Sequence, residues 1–102
     1  MRSKLMTGTM TVVIPVYNEI GNAVPMAKAL REAYPEFRVL FMDDNSTDGT
    51  IDAVRGMNDP MVEIHVRDPQ KRGLAASVLE GFEIAGTDYA MCMDCDFQHP
   101  VS

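Results

Sequence analysis

The sequence predicts a three-layer α/β domain with a mostly parallel sheet, and three observations carry that prediction. Apolar runs alternate with helix-like segments in the order β-α-β-α-β-α-β. The first run, Met10 to Val16 (MTVVIPV), is continuously apolar and β-branched, as in a strand buried on both faces. Clusters of polar residues follow three of the four runs directly. Such alternation implies parallel strands, right-handed crossovers and helices on both faces.

The elements follow in order. After the first strand comes a polar turn, YNEIGN. Asn22 is placed to cap a helix, and Pro25 falls in its first turn, where a missing N–H does no harm. Met26, Leu30 and Ala33 recur at helical spacing, and Pro35 stops the helix. Phe37 to Met42 (FRVLFM) reads as the second strand. The turn DDNSTDGT leads into a short helix through Ile51, Val54 and Met57. Val62 to Val66 (VEIHV) is the third strand. After RDPQKRG, a third helix places Leu74, Val78, Phe82 and Ala85 on one face, and Gly86 marks its end. Tyr89 to Met93 (YAMCM) is the fourth strand and runs into DCDFQHP.

Composition sets the bounds. A chain of 102 residues, 46% hydrophobic, supports one small domain with a real core. Residues 1–9 read as an extension and 10–102 as the domain. A net charge of −6 argues against nucleic acid as a partner, because phosphate backbones select basic surfaces. No apolar run reaches the roughly 18 residues of a membrane span, and MRSKLMTGTM lacks the apolar stretch of a secretory signal. A cytosolic location is expected.

Ligands of open α/β sheets bind beyond the carboxyl ends of the strands. Tyr17, Asn18 and Glu19 follow the first strand, Asp43, Asp44 and Asn45 the second, and Asp94, Asp96 and Gln98 the fourth. All three clusters are therefore expected on one edge of the sheet. Asp94-Cys95-Asp96 carries two carboxylates in one turn that can face a single hard cation, and Gln98 adds a neutral oxygen. Oxygen ligands of this kind suit Mg²⁺ or Mn²⁺, with a diphosphate completing the shell. The bland reading of a bare D-x-D is a solvated acidic turn. Asp44 is placed to accept hydrogen bonds from a nucleobase. Tyr17 could stack on a base or sugar, and Glu19 could bond the base or ribose. Ser46, Thr47 and Asp48 are better read as turn and cap formers, and Pro15 as shaping the strand end.

Taken together, VVIPVYNE, DDNSTDGT and RGLAASVLEGFEIAGTDYAMCMDCDFQHP resemble, in order and spacing, the signatures of family-2 glycosyltransferases with the GT-A fold. Within that family, the segment Arg72 to Gly86 and the D-x-D-x-Q-H-P ending look most like dolichol-phosphate (polyprenyl-phosphate) mannose synthases. The resemblance runs from Met10 nearly to the last residue. It implies that Pro15, Tyr17, Glu19, Met42 and Asp44 contact the nucleoside of GDP-mannose. It implies that Asp94 and Asp96 hold a Mg²⁺ or Mn²⁺ ion and the diphosphate, with Gln98 as a further metal ligand and Asp96 in the catalytic role. The main chain at Cys95 would lie against the nucleotide; cysteine stands there where that group commonly has alanine.

The implied reaction is attack by a polyprenyl (dolichyl) phosphate oxygen on the sugar's anomeric carbon, with inversion and loss of GDP. Complete enzymes of this group continue well past the metal loop, so the chain reads as the nucleotide-sugar-binding half, peripheral to the cytosolic membrane face in the full-length protein. Alone it is expected to bind without transferring, and to self-associate through an exposed strand edge.

Other readings compete. Another sugar donor, such as UDP-glucose, or a non-catalytic nucleotide-binding fragment would keep the fold. Cys92 and Cys95 form a C-x-x-C, but a redox pair usually opens a helix, whereas Cys92 is expected inside a strand, pointing opposite to Met93 into the packed layers. A phosphotransferase would carry D-x-D on its first strand. A dinucleotide-binding domain needs G-x-G-x-x-G after that strand, and none is present. Lys71 and Arg72 precede a helix N-terminus and could meet phosphate, though a solvated pair is the plainer reading. His99 reads as a loop-surface residue.

Overall fold

A computed structural model of the chain describes residues 9–71 and 73–95. Four strands, β1 (Met10–Val16), β2 (Arg38–Asp43), β3 (Val62–Val66) and β4 (Tyr89–Cys92), alternate with three helices, α1 (Ala23–Ala33), α2 (Thr50–Arg55) and α3 (Leu74–Ala85). The sheet is fully parallel, in the order β3-β2-β1-β4. The chain steps outward from β1 to β3, then crosses back to lay β4 on the other side of β1. Strand order therefore reverses between β1 and β4, where doubly wound sheets open their ligand crevice. Val16 pairs with Asp43, and Asp43 with Val66, so the carboxyl ends of β1, β2 and β3 finish level.

Both faces of the sheet are covered, because β1 and β2 are apolar at successive positions. Val12, Ile14, Val16, Val39, Phe41 and Ile64 pack with Ala23, Met26, Ala27 and Leu30 of α1 and Val54 of α2. Val13, Leu40 and Met42 form a smaller cluster on the opposite face, where α3 crosses β1 and β2. Each large apolar side chain buried this way contributes about 1.5–3 kcal/mol. No helix among the described residues is long and apolar enough to cross a membrane.

Several local expectations change. Asn22 occupies the N-cap position of α1, but its side chain makes no cap; its amide instead donates to Glu19 Oε1 at 2.9 Å. β2 begins one residue late because the Phe37 N–H is taken by the Tyr34 carbonyl in a turn, and it runs on to Asp43. α2 ends at Arg55, before Met57, whose N–H reaches back to the Val54 carbonyl. β4 stops at Cys92, although the Met93 N–H still bonds the Val13 carbonyl.

The largest change is the face α3 presents to the sheet. Ser77 and Gly81 are its buried residues, while Leu74 and Phe82 are 67% and 40% exposed. Periodicity ranks apolar residues, but here the helix approaches the strands so closely that only small side chains fit beneath it. A Cβ on Gly81 would lie 2.4 Å from Val13 Cγ1. Cys92 also departs from its expected burial. β4 is a sheet edge among the described residues and all four of its residues are exposed. Met93 and Cys95, on the other side, pack against the cluster around α1.

Candidate functional site

At the carboxyl tips of β1 and β2, two loops are sewn together by side-chain to backbone hydrogen bonds. Asp43 is fully buried; its Oδ2 accepts from the Asn45 and Ser46 N–H groups at 2.9 Å each, and its Oδ1 from the Ser46 hydroxyl. Ser46 Oγ in turn accepts from the Asn18 N–H at 2.8 Å, and Asn18 Oδ1 accepts from the Thr47 N–H at 2.7 Å. Asn18 and Asn45 both sit at positive φ, 53° and 71°, a backbone region asparagine tolerates better than most residues. Asp48 Oδ1 accepts from the Thr50 N–H at 3.0 Å, and its Oδ2 from the Ile20 N–H at 3.1 Å. The Thr50 hydroxyl, followed by those backbone donors, holds the Asp48 carboxyl below its ordinary value against a partial desolvation. Asp43, Ser46 and Asp48 thus build the loops. Of the turn residues, Asp48 makes the cap-like bond, whereas Ser46 bridges the two loops.

That scaffold shapes a cavity of about 180 Å³ lined by Pro15, Val16, Tyr17, Met42, Asp44, Leu74 and Ser77. Four of the residues singled out from the sequence, Pro15, Tyr17, Met42 and Asp44, therefore share one cavity. Tyr17 presents half of its surface. Glu19 does not line the cavity; its carboxylate receives the Asn22 amide and its N–H bonds Thr50 Oγ1 at 3.0 Å. Asp94 is exposed beyond β4. The register pairs Val13 with Cys92, and continuing it sets Asp94 beside Pro15. Cys95 is buried in the core. Asp96, Gln98 and His99, like Arg72, lie outside the described residues.

Among the described residues no three His, Cys, Asp or Glu side chains converge as a metal cluster. The donor present is the Asp94 carboxylate. A hard oxygen donor at a strand tip fits Mg²⁺ or Mn²⁺, which takes one or two protein carboxylates and fills its shell with phosphate and water. No disulfide joins Cys92 to Cys95. Partial desolvation, followed by the charge of Asp94, pushes the Cys92 thiol above its ordinary value, which is the opposite of what a redox-active thiolate requires.

Sequence reasoning missed three contributors. Leu74 and Ser77 of α3 form a wall of the cavity, and Arg67 stands behind Asp44 with its side chain 1% exposed. Nothing in the linear sequence marked the last. Two larger hollows, about 430 and 450 Å³, lie elsewhere. One is lined by Val54, Arg55, Asn58 to Pro60 and Val62 to Ile64, and the other by Arg67, Lys71, Ala76, Leu79, Glu80 and Glu83. Neither is lined by residues of the β1 or β4 tips.

Ser77 carries a further observation. It is 2% exposed, and among the described residues its Oγ has no hydrogen-bond partner. An unsatisfied buried hydroxyl costs about 1–3 kcal/mol, and alanine is the better helix former. Ser77→Ala should therefore raise the stability of the ligand-free chain by about 1 kcal/mol in urea unfolding. A loss of stability would mean that the hydroxyl has a partner in the folded state.

Comparison with known proteins gives the site a context. The profile of Glycosyl transferase family 2 matches residues 11–102. A dolichol-phosphate mannosyltransferase of Saccharomyces cerevisiae is 38% identical over 100 residues, covering 88% of this chain and 36% of the yeast protein. An undecaprenyl-phosphate mannosyltransferase of Micrococcus luteus is 39% identical over 92 residues, covering 85% of this chain and 37% of its own length. The chain thus spans about a third of these relatives. Among solved structures, a mannosyltransferase from Pyrobaculum calidifontis in complex with GDP-Man and Mn²⁺ superposes with a TM-score of 0.72 at 26% identity, over 87% of this chain and 28% of that one.

Proposed function

This chain belongs to glycosyl transferase family 2, and on that premise we propose that it forms the nucleotide-sugar-binding part of a mannosyltransferase that takes mannose from GDP-mannose and delivers it to a polyprenyl phosphate. The observation that carries this reading is the shared cavity of Pro15, Tyr17, Met42 and Asp44 at the tips of β1 and β2. The names of its relatives support the donor and acceptor classes.

Within this reading the residues divide the work. Pro15 and Met42 give the cavity an apolar floor, and Tyr17 offers a ring face on which a base can stack. Asp44, which when ionised accepts hydrogen bonds and donates none, takes them from N–H groups of the base or hydroxyls of the ribose. The diphosphate then extends across the β1–β4 switch point toward Asp94, with Asp96 and Gln98 close behind it in the sequence. Asp94, Asp96 and Gln98 would hold a divalent ion, which would supply positive charge to offset that gathering on the departing diphosphate. The acceptor phosphate oxygen attacks the anomeric carbon from the opposite side.

Calorimetric titration of the chain with GDP and with UDP, each with Mn²⁺ or with a chelator, tests the reading. GDP is expected to bind with Mn²⁺ at least about tenfold tighter than UDP, a difference of about 1.4 kcal/mol. Chelation or Asp94→Ala should remove most of that affinity. Binding that ignores both the metal and Asp94 would overturn the proposal, and tighter binding of UDP would replace the donor.

A further inference from the structure

We infer that Arg67 is a positioning residue for the nucleotide: it grips one oxygen of Asp44 and so presents the other to the cavity as the acceptor for base or ribose. This inference rests on the nucleotide reading above. Arg67 lies just past β3, and each of the three nitrogens of its buried guanidinium donates a hydrogen bond. Nε donates to Glu80 Oε1 at 2.8 Å, Nη1 to Asp44 Oδ1 at 3.1 Å, and Nη2 to the Lys71 carbonyl. Its backbone is tied as well. The Arg67 N–H donates to the Asp43 carbonyl at 2.8 Å, and its carbonyl accepts from Asn45 Nδ2 at 3.0 Å.

One side chain therefore joins the β2 tip, the loop before α3, and α3 itself. These are the elements that supply Asp44 on one wall of the cavity and Leu74 and Ser77 on the other. A buried guanidinium is costly unless paired, and an apolar residue would fill the same space more cheaply. What an apolar residue lacks is a fork of fixed geometry. The bond to Oδ1 favours one orientation of the Asp44 carboxylate. Among the described residues no donor reaches Oδ2, on a residue that lines the cavity. Glu80 completes the arrangement by fixing the guanidinium plane, and His65 stands 3.3 Å from its other oxygen. The Arg67 hydrogen bond is the main reason the Glu80 carboxyl titrates below its ordinary value.

A double-mutant cycle on the full chain tests this, with two probes, GDP with Mn²⁺ and inorganic pyrophosphate with Mn²⁺. Arg67→Lys keeps the charge and loses the fork. It should weaken GDP binding about tenfold and leave pyrophosphate binding unchanged, because Asp44 serves the nucleoside end alone. In an Asp44→Ala background the same substitution should weaken GDP no further. If Arg67→Lys does not fold by circular dichroism, Glu80→Gln, which loosens the guanidinium plane, must show the same pattern. Additive losses, or equal loss for pyrophosphate, would overturn the inference while leaving the nucleotide reading intact. A parent chain that binds no GDP with Mn²⁺ would overturn both.

Discussion

Gly81→Ala is expected to destabilise the chain by about 2–3 kcal/mol, although the same change in an ordinary helix stabilises by about 1 kcal/mol. The sign reverses because of what lies beneath α3. The added methyl would sit 2.4 Å from Val13 Cγ1 and 3.0 Å from Met42 Cγ. Met42 is unbranched and can shift its chain, but Val13 is fully buried at the centre of β1 and is stiff at χ1. The helix must therefore lift off the sheet. Lifting α3 also moves Ser77 and Leu74, the outer wall of the cavity, so nucleotide affinity should fall along with stability. Urea unfolding of Gly81→Ala, and of Gly81→Ala combined with Val13→Ala, reads the effect. The second change removes the opposing methyl and should recover part of the loss. A neutral or stabilising Gly81→Ala would show that α3 does not press on β1.

Asp43→Ala is expected to cost about 2–3 kcal/mol, since it leaves two part-buried N–H groups, of Asn45 and Ser46, without their acceptor. It also frees Ser46 Oγ, which holds the Asn18 loop. The damage should appear in thermal unfolding without any ligand, which separates Asp43 from its neighbour Asp44. The two adjacent aspartates thus have different work: the first holds the loop closed and the second lines the cavity. An Asp43→Ala chain that melts with the parent would remove the loop scaffold from this account.

Much of the architecture was legible in the residues. The continuous β-branched run of β1 gives itself away as a strand buried on both faces, and the alternation of strands with helices then places Tyr17, Asp44 and Asp94 on one edge of the sheet. What escaped was decided by tertiary contact. The inner face of α3 was misread because helical periodicity ranks Leu74 and Phe82 above Ser77 and Gly81, whereas close approach to the sheet selects the smallest side chains. Cys92 was expected to be buried because strand character in the sequence does not show which strand forms an edge. Asn22 looked like a cap because asparagine favours that position, yet Glu19 claimed its amide first. Arg67 was invisible as a site residue, since nothing in a linear chain says that a charged residue after β3 will meet acids from β2 and α3.

The central claim is that the tips of β1, β2 and β4 share one nucleotide and one divalent ion. Paramagnetic broadening of backbone amide signals, with Mn²⁺ added to the GDP-bound chain, measures it directly. The account predicts that the Tyr17, Asp44 and Asp94 amides broaden together while Phe37 and Met61, at the amino end of the sheet, stay sharp. Broadening at Asp94 that spares Tyr17 and Asp44, or that spreads to Met61, would contradict it.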